Sequence, residues 1–247
     1  MLGLLVVPAA VLLLWAAVSA AVGPVAVASP AATFASVGEG FGEGWLTEAL
    51  GETLRATAGG FALATLAGLW LGFTLGMSPY WGRVLEGPLL SLYSLPKVTL
   101  FPLFLLFLGL GTSAVVAFGA FHGVFPLALF LMSGIRGIPE VFLKVGRAYR
   151  LPRRKVFTRI VVPETLPAMV VGVRYCFSLT FLGVILAEMF AARSGAGYEL
   201  MQAISLNRVP RTFAVALVLV VFALLVNAGL LAVQAGVERR RGPVPEM

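Results

Sequence analysis

The chain contains no aspartate, one histidine (His122), one cysteine (Cys176) and three lysines (Lys97, Lys144 and Lys155) among its 247 residues. A disulfide framework, a zinc cluster and a Ser-His-Asp triad each need residues that are missing, so none can be assembled within one chain. No metal site is expected. None of the lysines follows a glycine, so the phosphate-binding loop G-x-x-x-x-G-K-[ST] is absent and any ATP must be bound by another subunit. Charge is scarce too: 12% of the residues are charged, about half the usual share. A soluble globule of this size could not cover its surface with so few charges.

Apolar residues fill the space: 60% of the chain is hydrophobic and the mean hydropathy is +0.98. Such a composition fits a lipid-facing exterior and an all-α, polytopic membrane protein. A hydrocarbon core about 30 Å thick needs roughly 20 apolar residues of helix. Six segments meet that length, with approximate limits 3–28, 53–77, 87–108, 112–133, 168–190 and 212–235. The first lacks the basic start of a signal peptide and is read as a retained helix.

The formal charge of +7 is unevenly placed. With the N-terminus inside, the cytoplasmic side carries Arg83, then Arg136, Lys144, Arg147, Arg150, Arg153, Arg154, Lys155 and Arg159, then Arg239, Arg240 and Arg241. The opposite side has Arg55, Arg193, Arg208 and Arg211 beside five glutamates, Glu39, Glu43, Glu48, Glu52 and Glu199. This asymmetry predicts both termini in the cytoplasm and makes a nucleic-acid partner unnecessary. The expected organisation is a first helix at 1–28, an external loop and interfacial helix at 29–52, a five-helix core at 53–235 and a cytoplasmic tail at 236–247. Gly38, Gly40, Gly42 and Gly44 suggest that the external loop is flexible before an amphipathic stretch from Trp45 to Leu54. In the second span Gly60, Ala64, Gly68, Gly72 and Gly76 recur every four residues, a stripe suited to close helix packing or to lining a pore.

The cytoplasmic segment 134–167 is too long for a simple connection and predicts helices of its own. One begins at Pro139 with Glu140 in its first turn and runs to Tyr149; Leu151-Pro152 breaks it. A second, from Arg153 to Val162, sets Val156, Phe157, Ile160 and Val161 at helical spacing and ends before Pro163 and Pro167. Composition alone allows these charges to serve only topology and lipid headgroups.

Residue order adds to that reading. The stretch VGRAYRLPRRKVFTRIVVPETLPAMVVGVR, from Val145 to Arg174, resembles the cytoplasmic loop of ATP-binding-cassette (ABC) importer permeases, often written E-A-A-x-x-x-G-x9-I-x-L-P. It is most similar to the branch for nitrate, sulfonates, taurine and thiamine-pyrimidine precursors. Anchored on Pro163, the pattern places Ile160 and Val162 at its I-x-L end. Lys144 then stands where the family has Glu, and Arg150 where it has Gly, so the helix-breaking task passes to Leu151-Pro152. The likeness extends through Ser29-Pro30, Thr53-Leu54-Arg55, Gly59-Gly60-Phe61, SLPKVTLFPLFLLFLGLG from Ser94 to Gly111, and LAEMFAARSGAGYELMQA from Leu186 to Ala203.

That resemblance implies a type I ABC importer permease fold with a coupling helix in the cytoplasmic loop of an inner-membrane protein. It implies two copies of a separate ATPase that carries ATP-Mg, a second permease subunit in a homodimer, and an external solute-binding protein or lipoprotein. No cofactor is expected on this chain itself. The ATPase contact would comprise Lys144, Val145, Gly146, Arg147, Ala148, Tyr149, Arg150 and Leu151, with Tyr149 as the buried anchor and Arg147 and Arg150 pairing with acidic groups on the ATPase. Arg153 to Arg159 would hold the loop against the bundle and headgroups. Lys97 and Glu188, ionisable groups within predicted spans, are candidates for the translocation path; Lys97 could instead pair with Glu188 or with a carbonyl freed by Pro96. His122 reads as a packing residue. A rhomboid-like hydrolase is excluded because Leu131-Met132-Ser133-Gly134 has leucine where G-x-S-G needs glycine. An ion-coupled carrier is the remaining alternative, although neither repeated halves nor a cluster of midplane ion ligands is evident.

Overall fold

A computed structural model describes residues 2–241, of which the side chains of 2–5, 238, 240 and 241 are not described. Every regular element is helical. They are α1 (Leu2–Val22), α2 (Pro30–Gly42), α3 (Trp45–Gly76), α4 (Pro79–Ser94), a 3-10 turn (Lys97–Leu100), α5 (Phe101–Leu108), α6 (Thr112–Arg136), α7 (Glu140–Ala148), α8 (Arg153–Val156), a π turn (Phe157–Val161), α9 (Val162–Ala191), α10 (Ala196–Ser205) and α11 (Val209–Arg241). Four stretches are long and apolar enough to cross a membrane, and the bent pair Pro79–Ser94 and Lys97–Leu108 makes up to five. The first predicted span is a shorter apolar helix over Val6–Val22. The predicted tail 236–247 begins as the end of α11, and 242–247 lie outside the described residues.

The chain divides into two compact units, residues 1–55 with 185–223 and residues 56–184 with 224–247. In the second unit α6 is the central element, burying residues along its whole length from Ala114 to Ile135. Glycines make its contacts. A Cβ on Gly68 or Gly72 of α3 would lie 3.0 or 2.8 Å from the side chains of Leu127 and Leu131, and one on Gly172 of α9 would lie 2.9 Å from Leu127. The α3 stripe is therefore a packing face, and small residues let the backbones approach where lipid supplies no hydrophobic drive between helices. In return, Gly119 and Gly123 of α6 receive Val184 and Thr180 of α9.

In the first unit the indole N–H of Trp15 donates to the Ala28 carbonyl (2.9 Å), and the Ser19 hydroxyl donates to the Val27 carbonyl (3.0 Å). In place of the flexible loop expected ahead of the amphipathic stretch 45–54, the chain forms the helix α2, and the amphipathic stretch is helical as the start of α3. Ser29 caps α2 by accepting the Ala32 N–H at 3.2 Å, and Pro30 occupies its first turn. Gly40 stays helical because Trp45 covers it, and a Cβ there would lie 2.6 Å from the indole. Only Gly44, with φ +85°, performs the turn that the glycine run suggested.

Two proline expectations also change. The third span is not continuous from 87 to 108: α4 starts at Pro79, and the chain bends by 90° at Leu95-Pro96. Leu95 is extended (ψ 143°), as a residue before proline prefers, and Pro96 offers no N–H to continue the ladder. In contrast, the helix expected to stop before Pro163 runs from Arg153 to Ala191. The π turn explains the difference. The Val162 N–H bonds the Phe157 carbonyl, and this wider ring just before Pro163 admits a residue that would break a regular α-helix.

Overpacking a well-filled contact costs about 1–3 kcal/mol. Gly72→Val is expected to lower the thermal midpoint of the detergent-solubilised protein, whereas Gly38→Ala, with no atom within 4 Å of the new Cβ, leaves it unchanged or raised. Thermal unfolding of the two variants in parallel checks this.

Candidate functional site

The segment expected on the cytoplasmic side, residues 134–167, is built around α7. Glu140 opens the helix, where the dipole favours a carboxylate, and accepts an ion pair from Lys144 one turn later at 3.0 Å. Its inner face is small: Gly146 is buried, and a Cβ there would meet Ile160 at 3.1 Å. Leu143 packs beside it on a cluster of Leu131, Ile135, Ile138 and Val161, which Val156, Phe157 and Ile160 join from the second piece. Phe157 also meets Phe73 edge-on at 5.0 Å. The segment is thus seated on one end of α3, α6 and α9, against residues such as Phe73, Leu131, Ile135 and Met169.

The outer face is left bare. Val141, Phe142, Val145 and Tyr149 are exposed, Tyr149 at 77%. Their spacing of i, i+1, i+4 and i+8 places them along one side of the helix. Of the predicted contact residues, Lys144, Val145, Arg147, Ala148, Tyr149 and Arg150 are exposed, Leu151 is half-buried and Gly146 points inward as the spacer. Sequence reasoning missed Val141 and Phe142, which the same helical spacing could have revealed.

The end of α7 differs from expectation. Leu151-Pro152 does not terminate it; Arg150 does, by adopting φ +50°. The Arg150 N–H bonds the Arg147 carbonyl (2.9 Å) and the Leu151 N–H reaches back to the Gly146 carbonyl (2.9 Å), the two bonds of a Schellman end. That conformation usually belongs to glycine, and in an L-residue it costs roughly 1–2 kcal/mol.

The two buried charges have separate surroundings. Lys97 is buried at the bend after α4, where its ammonium donates to the Tyr93 carbonyl at 2.6 Å and lies over the rings of Tyr93 and Phe125. Tyr93 is in the last turn of α4, whose carbonyls have no continuing helix to bond, so the lysine supplies a donor that the interrupted backbone cannot. No ion pair joins Lys97 to a carboxylate among the described residues.

Glu188, 3% exposed near the end of α9, holds the start of α10. Its Oε2 accepts the Thr53 hydroxyl at 2.8 Å and the Gly197 N–H at 2.9 Å, while the Thr53 hydroxyl accepts the Ala196 N–H at 2.7 Å. The dipole at a helix start favours this negative group, and two of the otherwise unpaired N–H groups are satisfied from a distance. Gly195 permits the approach: it has φ +105°, and a Cβ there would lie 2.5 Å from the carboxylate carbon. The spacing Glu188…Gly195-Ala196-Gly197 is therefore a buried cap. His122 is a packing residue, with Nδ1 3.0 Å from the Phe118 carbonyl and its ring 4.5 Å from that of Phe118.

Leaving a buried donor unpaired costs about 1–3 kcal/mol. Thr53→Val is expected to destabilise by that amount, and Gly195→Ala by at least as much. In both, the first-turn amides of α10 should lose hydrogen-exchange protection while those of α6 keep theirs.

Comparison with known proteins agrees with this architecture. The family described as "Binding-protein-dependent transport system inner membrane component" matches residues 64–242. The chain is 28% identical over 155 residues to the putative aliphatic sulfonates transport permease protein SsuC of Bacillus subtilis, covering 63% of this chain and 56% of that one. It is 30% identical over 152 residues to the nitrate import permease protein NrtB of Synechococcus elongatus, covering 61% and 54%. The matches thus span about half the length of these curated relatives. A chain from inward-facing structures of the MetNI methionine ABC transporter superimposes with TM-score 0.66 at 18% identity, covering 75% of this chain and 93% of that one, so the fold is shared. With the family matched across most of its length and no nucleotide-binding loop in its sequence, the chain belongs to the inner-membrane components of binding-protein-dependent transport systems, as a multi-pass permease component and not the ATPase.

Proposed function

We propose that this chain is the transmembrane subunit of an ATP-driven importer that takes a small solute from an external binding protein. The observation that carries the reading is α7: a short helix set through Gly146 against Val156 and Ile160 and through Leu143 on the cluster of Leu131, Ile135 and Val161, with an apolar and basic outer face left bare. A rigid element of this kind transmits the closure of a partner to the helices behind it, converting nucleotide binding into a shift between two membrane states. Residues 144–151 form the ATPase contact in this reading, with Gly146 as the inward spacer and Val141 and Phe142 added to the face. Two ATPase copies bearing ATP-Mg and a second copy of the permease complete the machine, and both termini face the cytoplasm.

On the other side, the binding protein would meet the surface formed by α2, the start of α3 and the α10–α11 turn. A cleft of about 510 Å³ there is lined by residues that include Glu39, Glu43, Trp45, Arg208 and Arg211. The mixed charges suit a polar protein surface. Sulfonate, nitrate and taurine permeases among the relatives support a small anion of that kind, and a thiamine-pyrimidine precursor is supported by the sequence resemblance alone. Lys97 favours the anion, because its buried amine is bonded to a neutral carbonyl and to no carboxylate among the described residues. Glu188 serves the path by holding α10 in place.

Reconstitution in proteoliposomes with the co-purifying ATPase and binding protein is the test. ATP hydrolysis should rise when the loaded binding protein is added, and uptake should require ATP; uptake by this chain alone on an ion gradient would establish the carrier alternative instead. For an anionic solute, Lys97→Met is expected to reduce uptake about tenfold or more, and Lys97→Arg to retain much of it.

A further inference from the structure

Arg150 holds a conformation that its side chain disfavours. Among the described residues the only other non-glycine with positive φ is Asn207, whose short amide tolerates the left-handed region. Asn207 completes the same hydrogen-bonded end on α10, with its N–H on the Ile204 carbonyl and that of Arg208 on the Ala203 carbonyl. The geometry therefore calls for a left-handed residue and not for an arginine. A glycine would make both bonds of the α7 end without strain. Strain that a local substitution could remove points to a role for the side chain.

Its surroundings indicate which role. Arg147, Arg150, Arg153, Arg154, Lys155 and Arg159 are exposed, and none forms an ion pair with a described residue, although Lys144 and Arg136 do. Arg150 follows Tyr149 at the end of the exposed apolar row Val141, Val145 and Tyr149. An aromatic anchor beside an uncompensated guanidinium is the composition of an interface centre rather than of a solvated face.

We infer that Arg150 determines which ATPase this permease accepts. Its guanidinium, presented from the left-handed end of α7 beside the exposed Tyr149, pairs with a carboxylate on that ATPase. The inference rests on the importer reading above. A lipid surface would also attract these cations, but that attraction follows the summed charge. A two-bond arginine–carboxylate pair depends on where the guanidinium is placed and on its planar shape, which lysine lacks.

The experiment measures binding of the ATPase that co-purifies with the wild-type chain to permease held in nanodiscs, for wild type, Arg150→Gly, Arg150→Lys and Arg150→Glu, in neutral and in anionic lipid. Arg150→Gly should raise the thermal midpoint of the permease yet weaken ATPase affinity about tenfold or more in both lipids. Arg150→Lys should also weaken it, and Arg150→Glu should abolish binding until the facing carboxylate on the ATPase is changed to lysine. Wild-type affinity in Arg150→Gly would overturn the inference. A loss seen only in anionic lipid would overturn it too, assigning the arginine to headgroups. If no ATPase binds the wild-type chain, the importer reading itself fails, which the other outcomes leave intact.

Discussion

Close approach of helix backbones on α6 is the constraint on which the rest of the second unit depends. In lipid, two apolar helices gain little by hiding from solvent, so contact must be won through fit and dispersion. Gly60, Gly68, Gly72 and Gly76 bring α3 onto α6, and Gly172 does the same from α9. The pairing is reciprocal, because Gly119 and Gly123 of α6 accept side chains of α9. A helix clasped in this way can act as a fixed reference for elements that must move.

Polar groups sit where the backbone is interrupted. Lys97 donates to a carbonyl at the bend after α4, and Glu188 with Thr53 accepts N–H groups at the start of α10. In hydrocarbon an unpaired backbone group costs several kcal/mol, so each interruption requires a local partner. The buried charges Lys97 and Glu188 therefore mark breaks in the helices. A lysine at a proline bend and a carboxylate beside a Gly-x-Gly turn are two solutions to one problem.

The segment around α7 combines stiffness with a bare face. From Arg153 to Ala191 the chain is one helical run with a π turn, so a push on the α7–α8 region has a direct mechanical route into the bundle. Gly146 sets α7 against that run at close range. The outer side offers Tyr149 and several guanidinium groups that form no ion pair among the described residues.

Composition and periodicity alone determined the class of this protein: a helical membrane chain with a long basic segment between two spans. These are sums over many residues, and no tertiary contact can reverse them. The helical pieces 139–149 and 153–162 were likewise readable, because caps and the apolar spacing of Val156, Phe157, Ile160 and Val161 are local. What the sequence left open were features set by a distant or alternative partner for the backbone. Gly38, Gly40 and Gly42 look like a loop until Ser29 caps the helix and Trp45 covers Gly40. Pro163 looks like a stop until a π turn widens the ring before it, whereas Pro96 truly bends the chain. Arg150 looks like a lost glycine until the backbone is seen to be left-handed despite it. Tertiary structure decided these points because a glycine, a proline or a strained φ has no fixed meaning until its hydrogen-bond partners and neighbours are in place.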